Sequence, residues 1–345
     1  MVVGESAQLP LPWIEPALRQ ALEAQRGHAL LLHASPGAGA LQLAATLAQA
    51  WLCEAPTGGP GAVGSPAPRP CGRCPSCRLV QASTHPDLML LLPEEVALAH
   101  GWPVDVDEKR KPSRQIRIQD VRRALDWVVT TSGRGRAKVL VLHPATALNA
   151  VSASALLKTV EEPPAGVRII LTASDPARLL PTLLSRCQRL RLAPPAREAA
   201  LAWLQAQGVD DPAVLLAAAG GLPLEAAQLH GQGIGARQWA ALPQAVQRGE
   251  ASFFEGWGLP RVVDALHKLC HDAMATRTGA AARYFPTASV PAPGSSAGLA
   301  AWQGRLQALA AHAEHPWNEP LLVEALVLQG QSALSASPVF ATLPP

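Results

Sequence analysis

The clearest pattern along the chain is a series of short apolar runs. They are separated by longer stretches in which apolar residues return every third or fourth position. The runs are Ala29–His33, Leu88–Leu92, Val139–Leu142, Val167–Thr172 and, interleaved with arginines, Arg189–Leu192. Runs of this length bounded by turn residues read as buried strands. The longer stretches read as helices. One begins near Trp13, with Ala17, Leu18, Ala21 and Leu22 on one side, and one runs from about Ala40 to Trp51. Ile118–Thr130 carries Val121, Leu125 and Val128 on one face and Arg122 and Arg123 on the other. Ala153–Glu162 is stopped by Pro163-Pro164, because proline disfavours helical geometry in the residue before it. Near-continuous apolar strands alternating with helices predict an α/β core, a parallel sheet with helices on both faces.

After the proline-bearing segment around Leu192–Arg197 the pattern becomes helical throughout. Helices are expected at Arg197–Gly208, Pro212–Ala219 and Pro223–Gly231, with Gly220-Gly221 between the last two. The periodicity weakens over Gln244–Gly258 and returns in Trp257–Thr276, Gly298–Ala313 and Glu319–Gln329. The expected domains are therefore an α/β core over 1–191, a small helical domain over 192–245, an all-helical domain over 246–335 and a frayed tail over 336–345. Glu54–Pro70 and Pro93–Arg114 read as solvated loops. Lys109-Arg110-Lys111 reads as an exposed basic run.

Composition narrows the function. Hydrophobic residues make up 48% of the chain and charged residues 16%, which suits a substantial core. The net charge of +3 is too small to argue for a nucleic-acid surface. No apolar run reaches the roughly 18–20 residues needed to span a bilayer. The start MVVGESAQLPLPW lacks the basic and apolar regions of a secretory signal, so a cytoplasmic protein is expected.

Two motifs carry candidate chemistry. Cys71-Gly-Arg-Cys74-Pro-Ser-Cys77 has C-x2-C-x2-C spacing, and Cys53 can supply a fourth thiolate. Four soft ligands suit a closed, structural Zn²⁺ site. Unpaired thiols, or a dithiol redox pair, are the alternatives. His85 is another nearby ligand type, but its place before Leu88–Leu92 suits ordering of the chain. Cys187 and Cys270 lie in apolar settings and read as small core residues. The second motif is Ala34-Ser-Pro-Gly37-Ala-Gly39-Ala40-Leu41, between a strand and a helix. A phosphate-binding loop there would read G-x-x-x-x-G-K-[ST]. Gly37 and Gly39 keep the turn, but Ala34, Ala40 and Leu41 replace the first glycine, the lysine and the Mg²⁺-binding hydroxyl.

The run Leu156-Leu-Lys158-Thr-Val-Glu161-Glu162-Pro-Pro164, followed by Ser185-Arg186-Cys187, resembles the clamp-loader branch of the AAA+ family. The resemblance covers roughly residues 10–240. It implies an AAA+ core with an inserted zinc module, a helical lid and a C-terminal helical collar for oligomerisation. It also implies a subunit of the bacterial DNA polymerase III clamp loader. Expected partners are the gamma/tau and delta subunits and, through the complex, the sliding clamp and primed DNA. Active members carry an Asp-Glu pair after the strand that here ends in His143-Pro144, and a sensing arginine where Leu224 stands. These losses add to those of the loop and imply a non-hydrolysing subunit, with ATP bound productively only by its partners. Arg186, by resemblance, is an arginine finger reaching a neighbour's ATP. Capping a helix or pairing with a carboxylate is its plain structural alternative. Lys158, Glu161 and Glu162 read as helix-surface salt-bridge residues. An active gamma/tau-like ATPase and a zinc-dependent nucleic-acid binding module outside replication are the rival readings.

Overall fold

The computed structural model describes residues 1–25, 27–55, 70–102, 111–292, 294–311 and 317–335, with the backbone alone for 310–311. Most of the loop after Cys53, residues 109–110 of the basic run, the end of the helix expected to reach Ala313 and the tail lie outside the described residues. The chain forms two compact units, Met1–Ala199 and Ala200–Pro345.

In the first unit the described elements are α1 (Glu15–Ala24), β1 (Ala29–Ala34), α2 (Ala40–Leu52), α3 (Pro75–Gln81), β2 (Leu88–Leu91), α4 (Glu94–Ala99), α5 (Ile118–Val128), β3 (Lys138–Leu142), α6 (Ala150–Glu161), β4 (Val167–Ala173), α7 (Pro181–Leu184) and β5 (Gln188–Leu192). The five strands form one parallel sheet in the order β2-β3-β4-β1-β5. Leu31, Leu140, Leu142, Ile169 and Leu171 pack with Val121, Ala124 and Val128 of α5 and Leu156 and Val160 of α6. Helices α1 and α2 contact the strands as well. The apolar runs of the inner strands β1, β3 and β4 follow from this double covering, since a strand buried on both faces has no position that water selects; at the edge, β5 exposes Arg189 and Arg191.

Three expectations need correction. Pro93–Arg114 is not loop throughout, because Glu94–Ala99 is helical. Glu94 and Glu95 occupy its first turn, where a carboxylate complements the helix dipole. They also fasten the returning chain: Glu94 accepts from the Ser113 N–H at 2.8 Å and pairs with Arg117 at 2.9 Å, and Glu95 pairs with Arg114 at 2.8 Å. Helix α6 starts three residues earlier than expected, because the Asn149 side chain accepts from Ser152 N at 2.8 Å and caps it.

The third correction lies in the second unit. Its elements are α8 (Arg197–Ala206, which crosses the division), α9 (Pro212–Ala218), α10 (Pro223–Gly231), α11 (Ala236–Arg248), α12 (Leu259–Arg277), α13 (Ser296–Ala311) and α14 (Glu319–Leu334). Helix α11 runs through residues 236–248 and so extends past the expected boundary into the start of the Gln244–Gly258 stretch, where the periodicity weakens. Pro243 inside it hides the signal, yet Trp239, Leu242, Pro243 and Val246 keep helical spacing and are buried. Residues from Ala200 to Leu334 contribute to one hydrophobic cluster. Trp239 stacks on Phe285, with ring centroids 5.0 Å apart, and its Nε1–H donates to Tyr284 O at 2.9 Å. The Asp272 carboxylate, fully buried, accepts from the backbone N–H groups of Arg283, Tyr284 and Phe285 at 2.9, 2.7 and 2.9 Å. Among the described residues, no single helix is long and apolar enough to cross a membrane.

Candidate functional site

The four predicted cysteines converge. Their Sγ atoms all lie within 4.8 Å of one another, and all four are free thiols. Cys53 follows the last residue of α2, and Cys74 caps α3, which carries Cys77. The Cys53–Cys74 and Cys71–Cys77 sulfurs are 3.9 and 4.0 Å apart. Tetrahedral zinc with Zn–S bonds of about 2.3 Å has sulfur–sulfur edges of about 3.8 Å, so the set fits that ion. Backbone N–H groups already point at the sulfurs: Cys71 N to Cys53 Sγ at 3.3 Å, Arg73 N and Cys74 N to Cys71 Sγ at 3.4 and 3.3 Å, and Cys77 N to Cys74 Sγ at 3.4 Å. Such donors stabilise thiolates. Burial alone would raise Cys74, but the N–H groups of Cys77 and Glu54 outweigh it and bring the thiol down to about 7. Burial pushes Cys53 and Cys77 up instead, and a divalent cation bound among the four sulfurs would supply the charge these two need to ionise.

Gly72 makes the knuckle possible. Its φ is +72°, and a Cβ there would lie 1.8 Å from the Gly4 carbonyl oxygen. His85 is buried and serves the chain path, as expected. Its Nδ1 accepts from Asp87 N at 3.0 Å, and its Nε2–H donates to Ser76 Oγ at 2.8 Å. Ser76 in turn donates to Leu52 O at 2.7 Å. Cys270 is buried and its thiol is pushed by burial to about 11. Cys187 is half-buried at the edge of the sheet core, pushed by burial to about 11.

The glycine-bearing loop joins β1 to α2, as the sequence predicts. Its interior is apolar: Ala34, Ala38 and Leu41 are 4%, 0% and 3% exposed. Gly39 has φ +101°, and a Cβ there would meet the Leu11 side chain at 2.4 Å. Trp13 Nε1–H donates to Ala38 O at 2.8 Å. Leu11 and Trp13 therefore close on the loop from the N-terminal segment, a relationship the sequence reading missed. Beyond β3, His143 Nδ1 and Thr172 Oγ1 are 2.7 Å apart, and burial lowers the imidazole to about 4. At neutral pH His143 is uncharged and cannot replace an acidic metal ligand. The peptide bond to Pro144 is cis. Leu224 is half-buried on α10 in the second unit.

Arg186 sits in the turn between α7 and β5. Its guanidinium pairs with the Glu161 carboxylate, and its Nη1 donates to Thr182 O at 2.8 Å and Ser185 Oγ at 3.2 Å. The side chain nevertheless keeps 36% of its area exposed and Glu161 keeps 41%. Glu161 belongs to the conspicuous LLKTVEEPP run, but sequence order does not reveal its partner. Lys158 and Glu162 are exposed.

The model of the family described as "DNA polymerase III, delta subunit" matches residues 14–196, more than half of the chain. The chain belongs to this family. It is 40% identical over 215 residues to the DNA polymerase III subunit delta' of Pseudomonas aeruginosa, a stretch covering 61% of this chain and 58% of that protein. It is 36% identical over 211 residues to the subunit delta' of Escherichia coli K12, covering 60% and 56%. The subunit tau of the same E. coli strain is 32% identical over 165 residues, covering 48% of this chain and 21% of that one. The match thus spans less than two thirds of the length of these relatives. The family match over residues 14–196 contains both motifs and the five strands.

Proposed function

We propose that the chain is a delta-prime-type subunit of a DNA polymerase III clamp loader, working in the cytoplasm at the nucleoid. It does not hydrolyse ATP itself and supplies Arg186 in trans to a neighbouring ATPase site. In this reading the first unit is a AAA+ core, residues 192–245 act as its lid, and residues 246–335 form the collar that joins gamma/tau and delta subunits. Through the complex it helps place the sliding clamp on primed DNA. Structural zinc at Cys53, Cys71, Cys74 and Cys77 holds the knuckle between α2 and α3.

The observation that carries the reading is an asymmetry between two places. The chain's own loop, built on Gly37 and Gly39, is lined by Ala34, Ala38 and Leu41 and abutted by Leu11 and Trp13, with an uncharged His143 nearby. It offers no lysine, no metal-binding hydroxyl and no carboxylate pair to a triphosphate. Arg186 stays at the surface and permanently charged, which suits stabilisation of charge developing on a phosphoryl group.

The test is reconstitution of the loader with Arg186→Ala in this subunit. Assembly by size-exclusion chromatography is expected to be unchanged, while DNA-stimulated ATP turnover falls. Unchanged turnover in an intact complex would remove the finger role. Rapid hydrolysis by the isolated chain would remove the non-hydrolysing assignment.

A further inference from the structure

We infer that Glu161 is a positioning residue that keeps Arg186 stowed on its own subunit until a neighbour's nucleotide site draws the guanidinium away. The inference rests on the finger reading above and adds to it a competitor for the arginine.

Pro163-Pro164 ends α6 so that Glu161 is its last residue. A carboxylate in the last turn of a helix opposes the helix dipole. Glu161 is therefore poorly placed alone and gains from a cation. Arg186 provides one from the turn after α7, paired through Nη2, while its Nη1 is held by Thr182 O and Ser185 Oγ. One planar donor group is thus committed to three acceptors of its own chain. Carboxylate and phosphate oxygens compete for the same guanidinium edge. Engaging a γ-phosphate therefore means leaving Glu161, and Glu161 is then left facing the helix dipole without its cation.

Both side chains are more than a third exposed, so the exchange needs no opening of the core. Exposed ion pairs are weak, which makes this contact a restraint that ATP-bound neighbours can overcome. A purely structural pair would leave no trace in nucleotide kinetics. A stowing pair raises the ATP concentration needed for turnover without changing the chemistry once the arginine is engaged.

The experiment is steady-state ATP turnover by the reconstituted loader carrying Glu161→Gln, Arg186→Ala or both. Glu161→Gln is expected to lower the KM for ATP by about 2- to 5-fold, the size of an exposed ion pair, with kcat within about twofold of wild type. In the Arg186→Ala background the same substitution is expected to change nothing. Thermal melting of each free subunit checks that folding is intact. If Arg186→Ala lowers turnover while Glu161→Gln leaves KM unmoved, or shifts it equally without Arg186, stowing is overturned and the finger stands. If Arg186→Ala has no effect on turnover, the finger reading falls and the stowing role falls with it.

Discussion

The guanidinium of Arg186 is ion-paired with the carboxylate of Glu161, across the turns that join α6, β4, α7 and β5. The two most recognisable motifs of the chain, LLKTVEEPP and SRC, therefore meet in space. The meeting is at the surface, where a second protein can reach it. Arg186 also caps the end of α7 through Thr182 O, so its structural contacts and its exposure coexist.

Because the role asked of Arg186 is planar and bidentate, Arg186→Lys is expected to rescue little of what Arg186→Ala loses. Lysine keeps the charge but not the fork. At the single ATPase site served, Arg186→Ala is expected to cost about 10³-fold in turnover. Single-turnover ATP hydrolysis by loaders built with each variant is the measurement.

Restoring loop chemistry alone is not expected to restore catalysis. Ala40→Lys with Leu41→Thr returns a cation and a hydroxyl, but position 41 is buried and Leu11 and Trp13 still abut the loop. In the proposed reading, His143 and Pro144 also still stand in place of the carboxylate pair of an active site. Isolated double variant should show ATP turnover at background, read by phosphate release. Turnover well above background would mean that the loop opens freely.

Metal removal is expected to loosen the first unit. Cys53 follows α2 and Cys77 lies on α3, and backbone N–H groups of Cys71–Cys77 tie the Cys53, Cys71 and Cys74 sulfurs into the same knuckle, so losing a shared ion would free both helix ends. Metal analysis should return about one zinc per chain, and chelation should lower the melting temperature by at least ~5 °C. Cys77→Ser should do the same without chelator. A zinc-free protein of unchanged melting temperature would contradict the assignment.

Acid should weaken the first unit through His143. Burial lowers its folded-state value to about 4, below the ordinary 6.5. The unfolded chain therefore binds a proton first as pH falls. The stabilisation held by neutral His143 is fully present above about pH 7. It is lost as pH drops from about 6.5 toward 4, by up to about 3 kcal/mol in total. Urea melts of wild type and His143→Asn at pH 7.5 and 5.5 check this, with a smaller pH effect expected in the variant. His85, lowered in the same sense by burial, contributes a further loss that both proteins share.

In the second unit, Asp272→Ala should be severely destabilising. Three backbone N–H groups, of Arg283, Tyr284 and Phe285, lose a buried charged acceptor. Each orphaned donor costs about 1–3 kcal/mol, so a loss of several kcal/mol is expected. Circular-dichroism melts measure it. Asp272→Asn should fall between, since an amide oxygen still accepts.

Strands β1, β3 and β4 were legible because burial on both faces leaves their composition little freedom, and edge strand β5 because Leu190 and Leu192 alternate with exposed Arg189 and Arg191; β1 to β5 fall within one or two residues of the expected positions. The cysteine ligands were legible because a knuckle uses neighbours in sequence. Other features depend on contacts between distant residues. Helix α11 was hidden by Pro243, whose missing N–H is a local cost that Trp239, Leu242 and Val246 offset by burial. Helix α4 was hidden by its charges, which only the returning Ser113–Arg117 segment makes sense of.

The sequence alone determined the α/β character of the first half, the helical character of the second, the thiol set and the small apolar residues at positions 34, 40 and 41 of the glycine-bearing loop. Each is a matter of residue type at short spacing, which local chemistry controls. Tertiary structure decided which groups face one another: Leu11 against Gly39, Asp272 beneath the Arg283–Phe285 backbone, and Glu161 against Arg186. Those pairings arise when packing of the sheet and helices brings remote segments into contact, and no local spacing encodes that distance.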